Sequence, residues 1–241
     1  MEEPILIYED NSVLVLDKPS GWVVNDANTA HGNPILQSWI KNNFNFELSG
    51  NDYKRSGIVH RLDKETSGAI VVAKDDNAFI SLQKQFKERL IKKEYLALVH
   101  GWVRDVNGII NAPVGRLPWN REKFGVMPSG KPSETSYELI SVYLNALNNK
   151  FSLVRLSPKT GRTHQIRIHL KYIGHPIVSD SAYAGRKTSR SDRLWCNRLF
   201  LHAAKISFIQ PESKKIINIE SKIPDYLISV LKSLQVVEKK Y

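Results

Sequence analysis

Short strand-like runs occur in pairs along this sequence, and segments with helical spacing separate the pairs. Three pairs are predicted, at residues 5–8 with 13–16, at residues 135–143 with 151–156, and at residues 200–209 with 215–219. Turn residues join the members of each pair, which is typical of β-hairpins. Helices are predicted at 79–90, at 162–172 and from Asp225 onward. Because strands and helices do not alternate strictly, the pattern predicts an α+β fold and not a doubly wound parallel sheet.

The composition is that of a globular protein. Of the 241 residues, 41% are hydrophobic and 24% are charged, which excludes a disordered, collagen-like or coiled-coil chain. Cys196 is the single cysteine, so the chain cannot form an internal disulfide, a zinc ribbon or an iron–sulfur site.

Nothing in the sequence predicts a membrane segment. The chain has no run of about 18 apolar residues, which a membrane span would need. Its start, Met1-Glu2-Glu3-Pro4, lacks the positive charge that opens a signal peptide. We therefore expect a soluble, cytoplasmic protein with no membrane partner.

The formal net charge is +11, and it is unevenly distributed. Residues 1–59 hold eight acidic and four basic residues, so the excess of positive charge lies in residues 60–241. This favours a polyanionic partner such as nucleic acid, although a lysine-rich proteome would give a similar balance. Basic loops are predicted at 115–133 and 184–198, and their candidate RNA contacts are Arg116, Arg121, Lys123, Arg186 and Arg190. Ordinary surface loops remain an alternative.

A charged segment, residues 57–68, precedes the predicted buried strand at 68–73. Within it Asp63 is flanked by Arg61 and Lys64, which favour the ionised carboxylate. An ionised aspartate can act as nucleophile, base or metal ligand. From the residues alone, an ion-paired turn with Thr66 and Ser67 as local caps is the favoured interpretation.

A second segment, residues 157–170, predicts a strand-to-helix junction with a positive first turn. Its donors include Arg162, His164 and Arg167, and the amino terminus of a helix attracts anions. A phosphate or carboxylate partner is indicated, with a plain core helix as the alternative. The spacing excludes a kinase catalytic loop and a His-Glu-x-x-His zinc peptidase, and the single cysteine excludes a zinc deaminase.

Taken together, the motifs resemble those of the RluA-type pseudouridine synthases. The resemblance runs in order through nearly the whole chain. It is carried by residues 8–10 and 18–21, His60-Arg61-Leu62-Asp63 with Thr66-Ser67-Gly68, Lys93 and Tyr95, residues 160–170, residues 174–183, and Leu201-His202-Ala203.

The resemblance implies a mixed, mainly antiparallel sheet flanked by helices and loops around a central RNA-binding cleft. It implies that residues 1–241 form a single catalytic domain, and we expect no extra amino-terminal RNA-binding domain. The implied reaction converts uridine in ribosomal or transfer RNA to pseudouridine, without a metal or cofactor. We expect a monomer with no obligate protein partner.

The resemblance also implies residue roles. Asp63 would be the nucleophile, attacking either the ribose or the base. Tyr95 would stack on the flipped uracil, and Ile166 would pack beside it. Arg167 would pair with Asp63 and keep it ionised. Arg61 would fill the gap that the flipped base leaves in the RNA stack.

One position departs from the family pattern, and two other functional classes compete. Ser179 stands where the family usually has glycine before Asp180, which leaves the geometry of that loop open. A non-catalytic RNA-binding or ribosome-assembly protein could use the same scaffold, but it would not need Asp63, Tyr95 and Arg167 together. A nucleoside hydrolase is disfavoured by the basic surface.

Overall fold

The structure, a computed structural model, describes residues 2–25, 32–118 and 120–239, without the side chains of Arg121, Glu122 and Lys239. The elements in chain order are β1 (Ile5–Glu9), β2 (Val13–Lys18), α1 (Leu36–Asn43), a 3-10 turn (Arg55–Gly57), β3 (Ser67–Ala73), α2 (Asp76–Lys87), β4 (Lys92–His100), β5 (Asn107–Asn111), β6 (Val114–Leu117), β7 (Asn120–Val126), β8 (Glu134–Leu144), β9 (Lys150–Pro158), α3 (Gln165–Tyr172), α4 (Arg186–Asp192), β10 (Leu201–Ile209), β11 (Ile216–Glu220), α5 (Asp225–Lys232) and β12 (Gln235–Lys239).

The chain divides into two compact units, and the first comprises Met1–Lys93 and Ala203–Lys222. Strands β1, β2 and β3 form an antiparallel ladder, and β10 pairs with β11. All seven residues of β3 are buried, which explains its continuous apolar sequence. Helix α2 packs on β3 and begins where the Asp75 side chain accepts a hydrogen bond from the Ala78 amide.

The second unit comprises Glu94–His202 and Ile223–Tyr241. Its strands are ordered β4, β9, β8 and β12, with β5 also paired to β8, and all four pairings are antiparallel. Its core is built from buried residues of β4 and β9, with Ile166 and Leu170 of α3 and Leu227 of α5. Strands β6 and β7 form a separate hairpin, which packs against α3.

These elements confirm the predicted α+β class with its mainly antiparallel pairing. The hairpin of β1 and β2, the pair of β8 and β9, and the last helix are all present as predicted. Helix α3 begins at Gln165, later than predicted, because His164 has a left-handed backbone with φ of 54°. No helix within the described residues is both long and apolar enough to cross a membrane.

Two predictions of loops are wrong. The segment 115–133 contains the β6–β7 hairpin, and the segment 184–198 contains α4. Candidate contacts Arg116 and Lys123 therefore lie on strands, and Arg186 and Arg190 lie on a helix. Arg121 belongs to β7, but its side chain is outside the described part of the chain.

Candidate active site

The segment that carries Asp63 is anchored at its start by His60, in the first unit. The His60 Nε2 atom accepts a hydrogen bond from the Val71 amide of β3 at 2.9 Å. The ring also packs against Phe86 of α2, with 4.7 Å between centroids. Burial, followed by the positive charge of Lys93, lowers the pKa of His60 to about 3. The imidazole is therefore neutral at pH 7, which leaves Nε2 free to accept.

Lys18 anchors the same segment from the other side. Its side chain is fully buried, and its ammonium donates to the carbonyl oxygens of Pro19, Trp22 and Lys64 at 2.9, 3.1 and 3.2 Å. An ammonium has three N–H bonds, so these acceptors match its donors in number. Burial lowers the pKa of Lys18 to about 7, against the opposing effect of the Asp63 and Asp17 carboxylates.

Residues 20 and 21 add two further contacts to this anchor. The Gly21 amide donates to the Lys64 carbonyl at 2.8 Å, and the Ser20 hydroxyl donates to the Glu65 carbonyl at 2.8 Å. The two sequence motifs that contain Lys18 and Asp63 are therefore packed together in one unit. Their contacts fix the backbone on the carboxyl-terminal side of Asp63.

Exposure alternates along the anchored segment. Arg61 is exposed, Leu62 is buried and Asp63 is half-buried. The Asp63 carbonyl accepts from the Thr66 amide at 3.1 Å, and Gly68, the second residue of β3, has φ of 116°. A Cβ at Gly68 would lie 2.3 Å from the Ala203 oxygen, so only glycine fits there. The segment therefore presents the Asp63 carboxylate and the Arg61 guanidinium from a fixed backbone.

The neutral His60 predicts a specific sensitivity to acid. The pKa falls from 6.5 to about 3 on folding, so the unfolded chain binds the extra proton and stability decreases as pH falls below about 6.5. Between pH 7 and pH 5 we expect the free energy of unfolding of wild type to fall by about 2 kcal/mol more than that of His60→Gln. Urea unfolding of both proteins at the two pH values measures this difference. An equal loss in both proteins would contradict it.

In the second unit, Arg167 is buried and forms a two-point ion pair with Asp180. Its Nε and Nη2 atoms donate to the two Asp180 carboxylate oxygens, each at 2.8 Å. Asp180 is fully buried and also accepts from the amides of Ala182 and Tyr183 at 3.0 Å. The guanidinium lies 5.1 Å from the Tyr183 ring centroid. The predicted pairing of Arg167 with Asp63 stays a prediction.

A buried polar network fixes helix α3 on β8. The Gln165 side chain accepts from the Thr160 hydroxyl at 2.7 Å and donates to the Thr135 hydroxyl at 3.0 Å. His169 contacts the same Thr135 hydroxyl through Nδ1 and the Ala112 carbonyl through Nε2, both at 2.9 Å. A carbonyl only accepts, so Nε2 carries the proton. Burial lowers the pKa of His169, which agrees with a neutral ring.

Tyr95 and Ile166 border the same core in the second unit. Tyr95 is half-buried on β4, opposite Leu156 of β9, and Ile166 is buried in the first turn of α3. Both pack against the core of that unit. Tyr95, Ile166 and Arg167 therefore belong to the same unit, and their roles toward the substrate stay predictions.

His164 lies among aromatic rings. Its Nδ1 atom is 2.9 Å from the Tyr183 hydroxyl, and its ring centroid is 6.2 Å from that of Phe124 in β7. The Arg116 guanidinium lies 5.0 Å from the centroid of the same Phe124 ring. Arg162 is half-buried just before α3. Candidate contacts Arg116 and His164 are therefore linked through Phe124 on the β6–β7 hairpin.

Sequence reasoning missed two parts of this arrangement. It did not identify Lys18 as a buried cation beside Asp63, because lysine side chains are ordinarily exposed. Asp180 belongs to the motif at residues 174–183, but the sequence predicted no ion-pair partner for its carboxylate. A buried arginine requires a carboxylate, so the presence of an aspartate in a nearby motif was the available signal.

Three comparisons bear on this geometry. A family model described as RNA pseudouridylate synthase matches residues 12–172. The chain is 36% identical over 233 residues to the ribosomal large subunit pseudouridine synthase D of Nitrosomonas europaea, which covers 95% of this chain and 65% of that protein. It is 37% identical over 237 residues to the ribosomal large subunit pseudouridine synthase C of Vibrio cholerae, which covers 97% of this chain and 70% of that protein.

A solved structure is also similar. The human protein RNA Pseudouridylate Synthase Domain Containing 1 superimposes with a TM-score of 0.78 at 28% identity, covering 100% of this chain and 91% of that chain. The curated relatives are longer, and this chain spans 65% of the Nitrosomonas protein and 70% of the Vibrio protein. The matched residues 12–172 contain Arg61, Asp63, Tyr95 and Arg167.

Proposed function

Because this chain belongs to the RNA pseudouridylate synthase family, we propose that it isomerises specific uridines in structured ribosomal or transfer RNA to pseudouridine. The observation that carries the proposal is the partial burial of Asp63 on an anchored backbone segment. Its carboxylate is half-buried on a segment held by His60 and by Lys18, next to the exposed Arg61. A reactive group on a fixed backbone is what catalysis requires.

In the proposed reaction the bond from ribose C1′ to uracil N1 breaks and a bond from C1′ to C5 forms. The C5 proton leaves and N1 gains a proton, so the reaction balances without a cofactor. Asp63 is the proposed nucleophile, and an ionised carboxylate is needed for that role.

The target nucleotide must leave the RNA stack before it can react. Extrusion costs a few kcal/mol, and stacking on Tyr95 with insertion of Arg61 would offset that cost. The exposure of Arg61 and the half-burial of Tyr95 suit these roles. Ile166 is proposed to supply an apolar contact beside the base, and Arg167 is proposed to hold Asp63 ionised.

The basic residues supply the proposed affinity for RNA phosphates. They are Arg116, Arg121, Lys123, Arg162, His164, Arg186 and Arg190. We propose that residues 1–241 work as one catalytic domain, as a cytoplasmic monomer, around a central RNA-binding cleft. A non-catalytic RNA-binding protein would use the same basic surface but not Asp63.

The test of function is incubation of the purified chain with total cellular RNA from cells that lack its gene, followed by mapping of new pseudouridines. We expect pseudouridine at one or a few uridines, and the map identifies the RNA. Binding without any new pseudouridine would favour the non-catalytic alternative.

RNA affinity should depend steeply on salt. Each lost phosphate contact should reduce the slope of log K against log salt concentration by roughly 0.7 to 0.9. Alanine variants of Arg116, Lys123, Arg186 and Arg190 are expected to show this reduction in filter binding. Lys41→Ala removes the same charge from an exposed ion pair outside the candidate set and is the matched control. An unchanged slope in all four variants would remove these residues from the interface.

Variants of Tyr95 distinguish a role in stacking on the uracil from a role in packing the core. Loss of stacking costs about 1–3 kcal/mol, so Tyr95→Ala should reduce the single-turnover rate about 5- to 150-fold, with little change in RNA affinity. Tyr95→Phe retains the stacking face and should retain most of the rate. Tyr137→Ala is the matched control, since Tyr137 also lies opposite Leu156 and packs against the same core. Weakened binding with an unchanged rate would make Tyr95 a surface contact.

A further inference from the structure

The turn that leads to Asp180 has a backbone that its sequence does not favour. Ser179 is fully buried and has φ of 62°, in the left-handed region. This conformation is energetically unfavourable for a residue with a Cβ, so contacts with the surrounding residues must hold Ser179 in it. Before the turn, the chain is fixed to β4, because the Val178 amide donates to the Leu98 carbonyl at 2.9 Å.

Asp192 supplies the contact that holds Ser179. One carboxylate oxygen of Asp192 accepts from the Ser179 amide at 2.9 Å and from His100 Nε2 at 2.9 Å. The Asp192 side chain is buried, and it stands at the last residue of α4. An aspartate is unfavourable at that end of a helix, because the unpaired carbonyls there repel negative charge. A tertiary role accounts for its presence better than a local one.

His100 is itself fixed, so it can act as an anchor for Asp192. The His100 amide donates to the Pro176 carbonyl at 3.0 Å, and its carbonyl accepts from His175 Nδ1 at 2.8 Å. Its ring packs against Phe151, with 5.3 Å between centroids. The Ser179 hydroxyl also donates to the Cys196 carbonyl, which ties the turn to the segment after α4.

A continuous series of contacts therefore leads from β4 to the guanidinium of Arg167. His100 contacts Asp192, Asp192 contacts Ser179, and the next residue, Asp180, holds Arg167 at two points. A change in the Ser179 backbone would move Asp180 directly. We propose that Asp192, anchored by His100, is a positioning residue that holds Ser179 left-handed and so sets the orientation of Arg167.

The proposal rests on the proposed function only where it predicts rates. Asp192→Ala should reduce the single-turnover rate of pseudouridine formation about tenfold, with RNA affinity changed less than twofold. The decisive variant is Ser179→Gly/Asp192→Ala. Glycine adopts the left-handed backbone without cost, so it removes the need for Asp192. We expect the double variant to recover to within about threefold of Ser179→Gly alone.

Val230→Ala is the matched control for lost stability. Val230 is buried in the same unit on α5 and makes none of these contacts. It should lower the melting temperature without lowering the rate. If Asp192→Ala behaves like Val230→Ala, or if glycine at 179 restores nothing, Asp192 is merely structural and the proposal is wrong.

A readout without RNA distinguishes this proposal from the proposed function. The buried Nε–H of Arg167 should give a slowly exchanging NMR signal in wild type. We expect faster exchange in Asp192→Ala and slow exchange again with glycine at 179. If this pattern appears while wild type makes no pseudouridine, the proposed function fails and the positioning role stands. If exchange is unchanged in Asp192→Ala, the positioning role is overturned whatever the activity.

Discussion

Asp63→Asn is expected to abolish turnover while leaving the fold and the RNA affinity nearly unchanged. The amide has the size of the carboxylate but cannot form the covalent intermediate, so the rate should fall at least about a thousandfold. Asp63 is half-buried, and its backbone contact to the Thr66 amide does not depend on the side chain. Single-turnover kinetics with a transcript that carries the mapped uridine measures the loss.

Asp52→Asn is the matched control for this variant. Asp52 lies in the same unit and is largely exposed in an ion pair with Lys41, so its loss changes the net charge equally. Both variants should bind RNA slightly more tightly than wild type, because one repulsive charge is removed. Turnover by Asp63→Asn above a tenth of the wild-type rate would remove Asp63 from the role of nucleophile.

The regular elements were predictable because their sequences repeat with the period of a strand or a helix. Strand β3 is a run of apolar and small residues, and all of it is buried. Helix α2 carries its apolar side chains at helical spacing and starts at the Asp75 cap. Where burial and local preference agree in this way, the sequence predicts the element.

The β6–β7 hairpin and α4 could not be predicted in this way. Among the described residues of its two strands Val114 alone is buried, so the sequence carries no alternation of buried and exposed side chains. Helix α4 has no apolar stripe, and its buried side chains are those of Ser189 and Asp192. Polar residues with tertiary partners give no periodic signal.

The candidate site was predictable from motifs only as a set of residue types. The resemblance implied roles for Asp63 and Arg167, but the partners of these residues depend on the fold. Lys18 is a buried charged residue that contacts Lys64, which is distant in sequence. Arg167 and Asp180 form a buried ion pair that requires the folded backbone. Ser179, which departs from the family pattern, has a left-handed backbone that glycine would favour. The hydrogen bond from its amide to Asp192 explains how serine can adopt that backbone.

Arg167→Met is expected to give the largest loss of stability among the variants considered. It leaves the Asp180 carboxylate, which is fully buried, without the guanidinium that binds both of its oxygens. Removing one member of a buried ion pair costs about 3–5 kcal/mol. For a chain of this length that corresponds to a fall of roughly 6–20 °C in melting temperature. Calorimetry of the two proteins measures it.

Arg155→Met is the matched control for the loss of a charged arginine. Arg155 lies in the same unit and pairs with Glu138, but its side chain is 43% exposed. Exposed ion pairs contribute about 0–1 kcal/mol, so this variant should melt close to wild type. Equal melting temperatures for the two variants would show that burial of the Arg167 pair contributes nothing.

The double variant Arg167→Met/Asp180→Asn separates stability from catalysis. Asparagine carries no charge to leave unpaired, and its side-chain oxygen can still accept from the amides of Ala182 and Tyr183. Replacing both members of a buried pair is often nearly neutral, so more than half of the lost stability should return. Turnover should remain low, because the guanidinium proposed to hold Asp63 ionised is still absent. Recovery of activity along with stability would limit Arg167 to a structural role.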